Sequence, residues 1–313
     1  MSSSSADAHS GSDVAPPGGT ETQGEAETPT QRWVLGPAPR DPMLAVPRYV
    51  PEGVSGVDLS CYCLMLADDA LVLSQRLAEV AYRAPELEEH VALAEIGLDL
   101  LRQARTLLGR AGELDEDGRD EDRLAHFRVA DQFRNVRLVE IDCGPGAGGD
   151  FSAGIARFLL FAVWRVELFR RLADTRDPVL SALAANWLPR SIEHRDHAAQ
   201  WVIRLGDATE VSRQHILAGL SRVWPLAGEL FAPHPVEMRL TEVACAVDPS
   251  ALLEESLSFL DQVMSVARLE SLDVRELDYA VPPGGRDGVH TEALQFLLAE
   301  MQYIARSEAA SGW

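Results

Sequence analysis

The chain has 313 residues, with 28 basic against 49 acidic side chains and a formal net charge of −21. That balance argues against nucleic acid or an anionic membrane as partner, because binding to either rests on clustered positive charge. Every basic residue is arginine, so Schiff-base and lysine general-base chemistry are excluded.

Residues 1–30 hold 17 Ser, Gly, Pro or Thr, five acids and no base. Such a segment buries too little apolar surface to offset its ordering entropy. The Pro-rich stretch from Pro37 to Pro51 continues it, so residues 1–52 read as a disordered acidic extension and 53–313 as the folded domain. Beyond that point apolar residues recur at three- and four-residue spacing, with no alternating strand pattern. The spacing predicts helices over 57–82, 85–110, 121–139, 151–174, 178–205, 210–230, 249–269 and 291–307. Start signals stand at Pro85, Asp177-Pro178, Thr209 with Ser212, Asp248-Pro249 and Thr291. Stop signals stand at Gly109–Gly112, Gly144–Gly149, Gly206 and Pro282–Gly285. Several of these helices exceed the average of about 11–12 residues, and no repeat is visible. The fold class is therefore all-α, a large helical bundle.

The most apolar run, Phe158 to Trp164, is cut off by Arg165 and falls short of the ~18 residues of a membrane span. It reads as buried helix. The N-terminus has no basic region followed by an apolar one, so no secretory signal is expected. Cys61, Cys63, Cys143 and Cys245 form neither a Cys-X-X-Cys pair nor a disulfide framework, which suits a reducing cytoplasm.

A helical bundle with inward carboxylates and histidines raises the di-iron carboxylate site, which takes Glu from two helices and Glu-x-x-His from two more. The i and i+3 residues share a face, so both reach the metal. No Glu-x-x-His occurs here. Glu95 has Leu98 three residues on, and leucine is no ligand. Glu193, His194 and His197 cluster in SIEHRDHAAQW. The first helix offers only Gln75 between Asp69 and Glu79, and the fourth runs through Ala162 with no acid before Glu167. The set is short of at least two carboxylates and one histidine, so a polar or ion-paired patch involving Arg190 or Arg102 is expected. GPGAGG at Gly144–Gly149 lacks the preceding strand and following Lys-Ser/Thr of a phosphate loop. The acidic run Asp115–Asp122 reads as a solvated loop, and Trp164, Trp187, Trp201 and Trp224 as core or interface. Arg165, Arg170 and Arg171 are the candidate local cluster for a polyanionic ligand.

Several segments carry a resemblance. LVLSQRLAE at Leu71–Glu79, APELEEHVALAEIGLDLLRQAR at Ala84–Arg105, RLGDATEVS at Arg204–Ser212, GELFA at Gly228–Ala232, AVDPS at Ala246–Ser250, and GVHTE with LLAEMQY at Gly288–Tyr303 resemble the PaaC family. That family supplies the structural subunit of phenylacetyl-CoA 1,2-epoxidase, or phenylacetate-CoA oxygenase. The similarity runs in order over roughly 58–313. It implies a ferritin-like helical bundle with additional helices, no catalytic residue and no cofactor or working metal site of its own. Leu98 would then stand where a histidine ligand is needed and Ala162 where an acidic one is sought. Gln75, Glu95, Glu193, His194 and His197 would be further remnants of the lost site. The resemblance further implies a PaaA-like catalytic subunit holding the di-iron centre and a small PaaB-like subunit. A reductase would pass NADPH electrons through flavin and an iron–sulfur cluster, and phenylacetyl-CoA would be met through the complex. The rivals are a self-sufficient ferritin-like di-iron oxygenase acting on an acyl-CoA, and a helper that only protects the catalytic subunit.

Overall fold

The computed structural model describes residues 42–143, 151–269, 273, 276–277 and 284–311. The Ser55 hydroxyl caps α1 (Gly56–Ala81) by accepting the Asp58 N–H at 3.2 Å. After a short turn α2 (Leu87–Glu113) comes back antiparallel, with the Ser60 hydroxyl donating to Ala111 O at one end and His90 against Ala81 O at the other. Gly97 sits in the seam, where a Cβ would lie 3.4 Å from Ser74 O. The crossover that follows carries α3 (Glu121–His126) and α4 (Arg137–Glu140).

A second hairpin joins α5 (Phe151–Leu172) to α6 (Pro178–Ala208). Phe151 meets Trp201 edge-on at 4.9 Å, Phe158 faces His194, and the Ser181 hydroxyl donates to Ala173 O, so these helices also run antiparallel. Asp177 caps α6, accepting from Val179 N and Leu180 N, with Pro178 in the first turn where its missing N–H costs nothing. Around this core lie α7 (Glu210–Val223), α8 (Pro235–Glu242), α9 (Leu253–Val266), α10 (Glu292–Met301) and α11 (Tyr303–Ser311).

The two hairpins pack α1 against α5 and α2 against α6. Val80 fits so tightly over Gly154 that a Cβ there would lie 2.4 Å from Val80 Cγ2. Farther along, Arg165 of α5 reaches Leu66 O of α1. These contacts make α5 antiparallel to α1, while Asp99 to His194 and Glu89 to His197 make α6 antiparallel to α2. The direction order is up, down, down, up, which two tight hairpins and one long crossover produce. Tyr62, Leu66, Leu73, Leu100, Leu107, Phe158, Phe161 and Trp164 fill the centre. No strand occurs among the described residues, and no described helix is long and apolar enough to cross a membrane.

Several boundaries differ from the sequence expectation. The helix expected over 121–139 is two short helices flanking a 3-10 turn, Ala130–Gln132. Buried carboxylates of α1 claim its backbone: Asp68 accepts from Arg134 N at 2.8 Å and Asp69 from Val136 N at 2.9 Å, while Arg128 turns in to pair with Asp68. Those bonds replace the helical ladder. The helix expected over 210–230 turns into a 3-10 segment at Trp224–Leu230, because Pro225 has no N–H to continue it. The one over 249–269 likewise opens as 3-10 at Pro249–Leu252, and the one over 291–307 breaks at Gln302, whose amide donates to Ala125 O and Arg128 O.

The helix α8 was not anticipated; Pro235 in its first turn and the reciprocal His234 and Glu237 bonds were its signal. The helix expected from 85 begins at Leu87. Gly109 and Gly112 lie within α2 and Gly206 within α6, so none is a stop. Gly206 is small because a Cβ there would lie 2.6 Å from Ala267 O. The expectations for residues 1–41, Gly144–Gly149 and Pro282 fall outside the described residues.

Candidate functional site

The inward face of α2 is fixed by Gly97 in the α1 seam, with Leu93, Ile96, Leu100, Gln103 and Leu107 buried along it at helical spacing. Glu95 and Leu98 fall on the opposite, exposed side. Gln75 on α1 is half-buried, and Ala162 on α5 is buried in the apolar core. Glu193 is exposed and takes an ion pair from Arg190 at 2.6 Å. The seven positions suggested by the sequence therefore do not converge on one point.

Two of them do meet interior partners across the α2–α6 seam. His194 Nε2 lies 3.2 Å from Asp99 Oδ2, and His197 Nε2 lies 3.0 Å from Glu89 Oε1. Asp99 is the hub, since Arg190 binds the same carboxylate at 2.8 Å and Arg102 its other oxygen at 2.8 Å. Burial by itself would raise the Asp99 carboxyl, but hydrogen bonds from His194 and Arg190 hold it down to about 2. Two guanidinium groups already neutralise this carboxylate, so it has little left to offer a metal.

Deeper in the bundle lies Arg165, the residue that cuts the apolar run of α5. Its side chain points inward, donating from Nη2 to Leu66 O of α1 and to Gln103 Oε1 of α2, each at 3.3 Å. The guanidinium sits 4.6 Å from the Phe169 ring centroid, a cation–π arrangement that lends it some negative potential. Burial pulls the arginine down to about 10, still charged at neutral pH. Arg165 Nε and Nη1, Gln103 Nε2 and Trp164 Nε1 are buried donors without an acceptor among the described residues. This interior is short of lone pairs and already holds a fixed cation. Among the described residues no group of three or more His, Cys, Asp or Glu is arranged to hold a metal ion. A di-iron centre needs a converging set of anionic oxygen donors, and these residues do not fit one.

Two further buried ion pairs on α1 and one at the end of α2 tie the core to its surroundings. Asp68 binds Arg128, Asp69 binds Arg286 at 2.8 Å, and Arg110 binds Asp177 at 2.7 Å beneath the α6 cap. Sequence reasoning missed these clamps, although Asp68-Asp69 inside an apolar helix was a visible signal. The three arginines named as candidates for a polyanion cluster, Arg165, Arg170 and Arg171, do not come together. Arg165 faces inward, Arg170 pairs with Glu167, and Arg171 pairs with Glu255 at 2.8 Å. All four cysteines are free thiols, and burial raises that of Cys63 far above its usual range.

Comparison with known proteins places this arrangement. The model of the family described as phenylacetic acid catabolic protein matches residues 53–313. The C subunit of 1,2-phenylacetyl-CoA epoxidase from Escherichia coli (strain K12) is 40% identical over 255 residues, which covers 82% of this chain and 99% of that protein. With so much of both sequences aligned and a bundle of ferritin-like direction order, the chain belongs to the phenylacetic acid catabolic protein family.

Proposed function

We propose that this chain is the non-catalytic structural subunit of a multicomponent phenylacetyl-CoA 1,2-epoxidase in aerobic phenylacetate breakdown. The observation that carries the reading is the buried Arg165 guanidinium, held between α5, α1 and α2 in an interior short of acceptors. A fixed cation there disfavours a second cationic centre by direct repulsion in a poorly screened environment. The similarity to the C subunit of an epoxidase supports the assignment to the complex.

In this reading the di-iron centre belongs to a PaaA-like catalytic partner of the same fold. A small PaaB-like subunit and a reductase using NADPH, flavin and an iron–sulfur cluster complete the system, in the cytoplasm. The chain's own work is mechanical. Its clamped four-helix core presents a rigid surface that orders the partner's helices, and obligate surfaces of this kind bury about 2,000 Å² or more. Co-expression with and without the catalytic partner tests the reading. The expected result is a stable stoichiometric complex active only when both chains are present. A catalytic partner that turns over equally well alone would reject it.

A further inference from the structure

Residues 284–311 are fastened to α1 and to the crossover mainly by polar bonds. Arg286 donates to Met65 O at 2.9 Å and to Arg134 O at 2.8 Å, besides its ion pair with Asp69. Thr291 N donates to Glu140 Oε1 at 2.5 Å, and the Ala293 carbonyl accepts from Arg76. The Gln302 amide and the Arg306 guanidinium both reach Arg128 O. The apolar share is small, since α10 buries Leu294, Leu297 and Leu298 and no described side chain of α11 is fully buried. Few buried apolar contacts mark an element that opens locally before the core does.

His290 is the one of these ties whose strength depends on a proton. Its side chain is 3% exposed, with Nδ1 2.7 Å from Glu140 Oε2 and Nε2 3.1 Å from Phe133 O. A carbonyl oxygen only accepts, and the Glu140 carboxylate already accepts from Asn135 Nδ2 and Thr291 N. Both ring nitrogens therefore donate, which only the imidazolium can do. Loss of that proton sets a lone pair against one of the two acceptors in the interior, where an unmade hydrogen bond is costly. Burial by itself would lower the imidazole, but the bond and charge of Glu140, with the Phe133 carbonyl and Asp68, hold it above its ordinary 6.5.

The other charges on the surrounding elements are engaged elsewhere. On α1, Asp68 and Asp69 hold Arg128 and Arg286, and Arg76 binds Glu79. On the crossover, Arg134 donates to the carbonyls of Phe133 and of exposed Asp131, and Arg137 of α4 binds Glu229. Beside His290 in sequence, Asp287 lies 3.4 Å from His234, and Glu292 is exposed. Glu237 of α8 also titrates, but the charges it meets are those of Arg286, Asp69 and Asp248. Between Arg286 and His290 stands Gly288 at φ +85°, a turn that glycine adopts freely.

We propose that residues 290–311 are a proton-held strap, which releases from α4 and the crossover when His290 loses its proton, hinging at Gly288 while the Arg286 clamp stays closed. The strap is held fully below 6.5, the ordinary imidazole value, and its hold is lost as pH rises from there through the raised value of the docked ring. Opening releases one proton, so it grows about tenfold per pH unit across that window and levels off beyond it.

The test is amide hydrogen exchange of the full chain, followed by mass spectrometry from about pH 6 to about pH 9 and corrected for the intrinsic rate. Peptides of α10 are expected to lose protection about tenfold per unit within the window, while those of α5 hold theirs. His290→Gln is expected to leave the strap equally open at every pH. Glu140→Gln, which keeps an acceptor for Thr291 N, is expected to abolish the rise, and Glu237→Gln to leave the α10 profile unchanged. Nitrogen NMR of the isotope-labelled wild-type chain, which depends on no variant folding, should show both His290 ring nitrogens protonated at about pH 7. A neutral ring there, α10 protection that ignores pH, or an equal loss in α5 would overturn the proposal.

Discussion

At Arg165 and Asp68 the same chemistry, a buried charge, has opposite consequences. Among the described residues Arg165 has no carboxylate within hydrogen-bonding distance and leaves Nε and Nη1 without acceptors, so its burial is a cost to the fold. Replacing it by an apolar residue of similar length, Arg165→Met, is predicted to be close to neutral in urea unfolding, because the desolvation relieved is offset in part by the lost attraction to Asp69. Asp68 instead satisfies Arg128 and the Arg134 N–H at once. Asp68→Ala strands a buried guanidinium and is predicted to cost about 3–5 kcal/mol. Equal effects for the two variants would refute this contrast. Arg165 was legible in the sequence as the charge that ends an apolar run, though its inward direction was not. Glu95 misled for the same reason, because a helical repeat gives the spacing of a face and only the partner helix says which face is inside.

At the scale of elements, α8 carries a titrating group. Burial pushes the Glu237 carboxyl up to about 7 from an ordinary 4.5. The folded chain therefore holds this proton where the unfolded chain has released it, and stability falls as pH rises from 4.5 towards 7. Glu237→Gln keeps an acceptor for His234 N and is predicted to gain about 1–3 kcal/mol at about pH 8, with no gain at about pH 4. A pH-independent effect would contradict the assignment. The seam between α1 and α5 makes a different demand. Gly154→Val drives methyl groups into Val80, and overpacking there is predicted to cost about 2–3 kcal/mol by thermal unfolding.

The same scale shows what the sequence carried. Caps at Asp177-Pro178 and Thr209 with Ser212 fall where local chemistry predicts, because a capping bond closes within a few residues. The break across 127–136 was invisible, since the bonds that unwind it come from Asp68 and Asp69 on a distant helix. Gly109 and Gly206 read as stops because glycine ends helices through its backbone freedom. Here Gly206 is held small by the close approach of Ala267, while Gly109 lies inside α2 with open space beside it.

For the whole molecule, the ion-pair clamps and the donor-rich interior belong to one design. Among the described residues no group of metal-ligating side chains links the helices, and the bundle is tied together by Asp68–Arg128, Asp69–Arg286 and Arg110–Asp177. The first two join the first hairpin, through α1, to peripheral segments, and the third joins one hairpin to the other. The central claim is that such a chain gives shape to a catalytic sister and activates no dioxygen itself. The most direct measurement is iron content and phenylacetyl-CoA epoxidation for the isolated chain, the isolated catalytic partner and the reconstituted pair, each supplied with the reductase. The account predicts an isolated chain free of stoichiometric iron and inactive, with iron following the catalytic partner and full turnover only in the pair. An isolated chain that binds about two irons and epoxidises the thioester without its partner would contradict it.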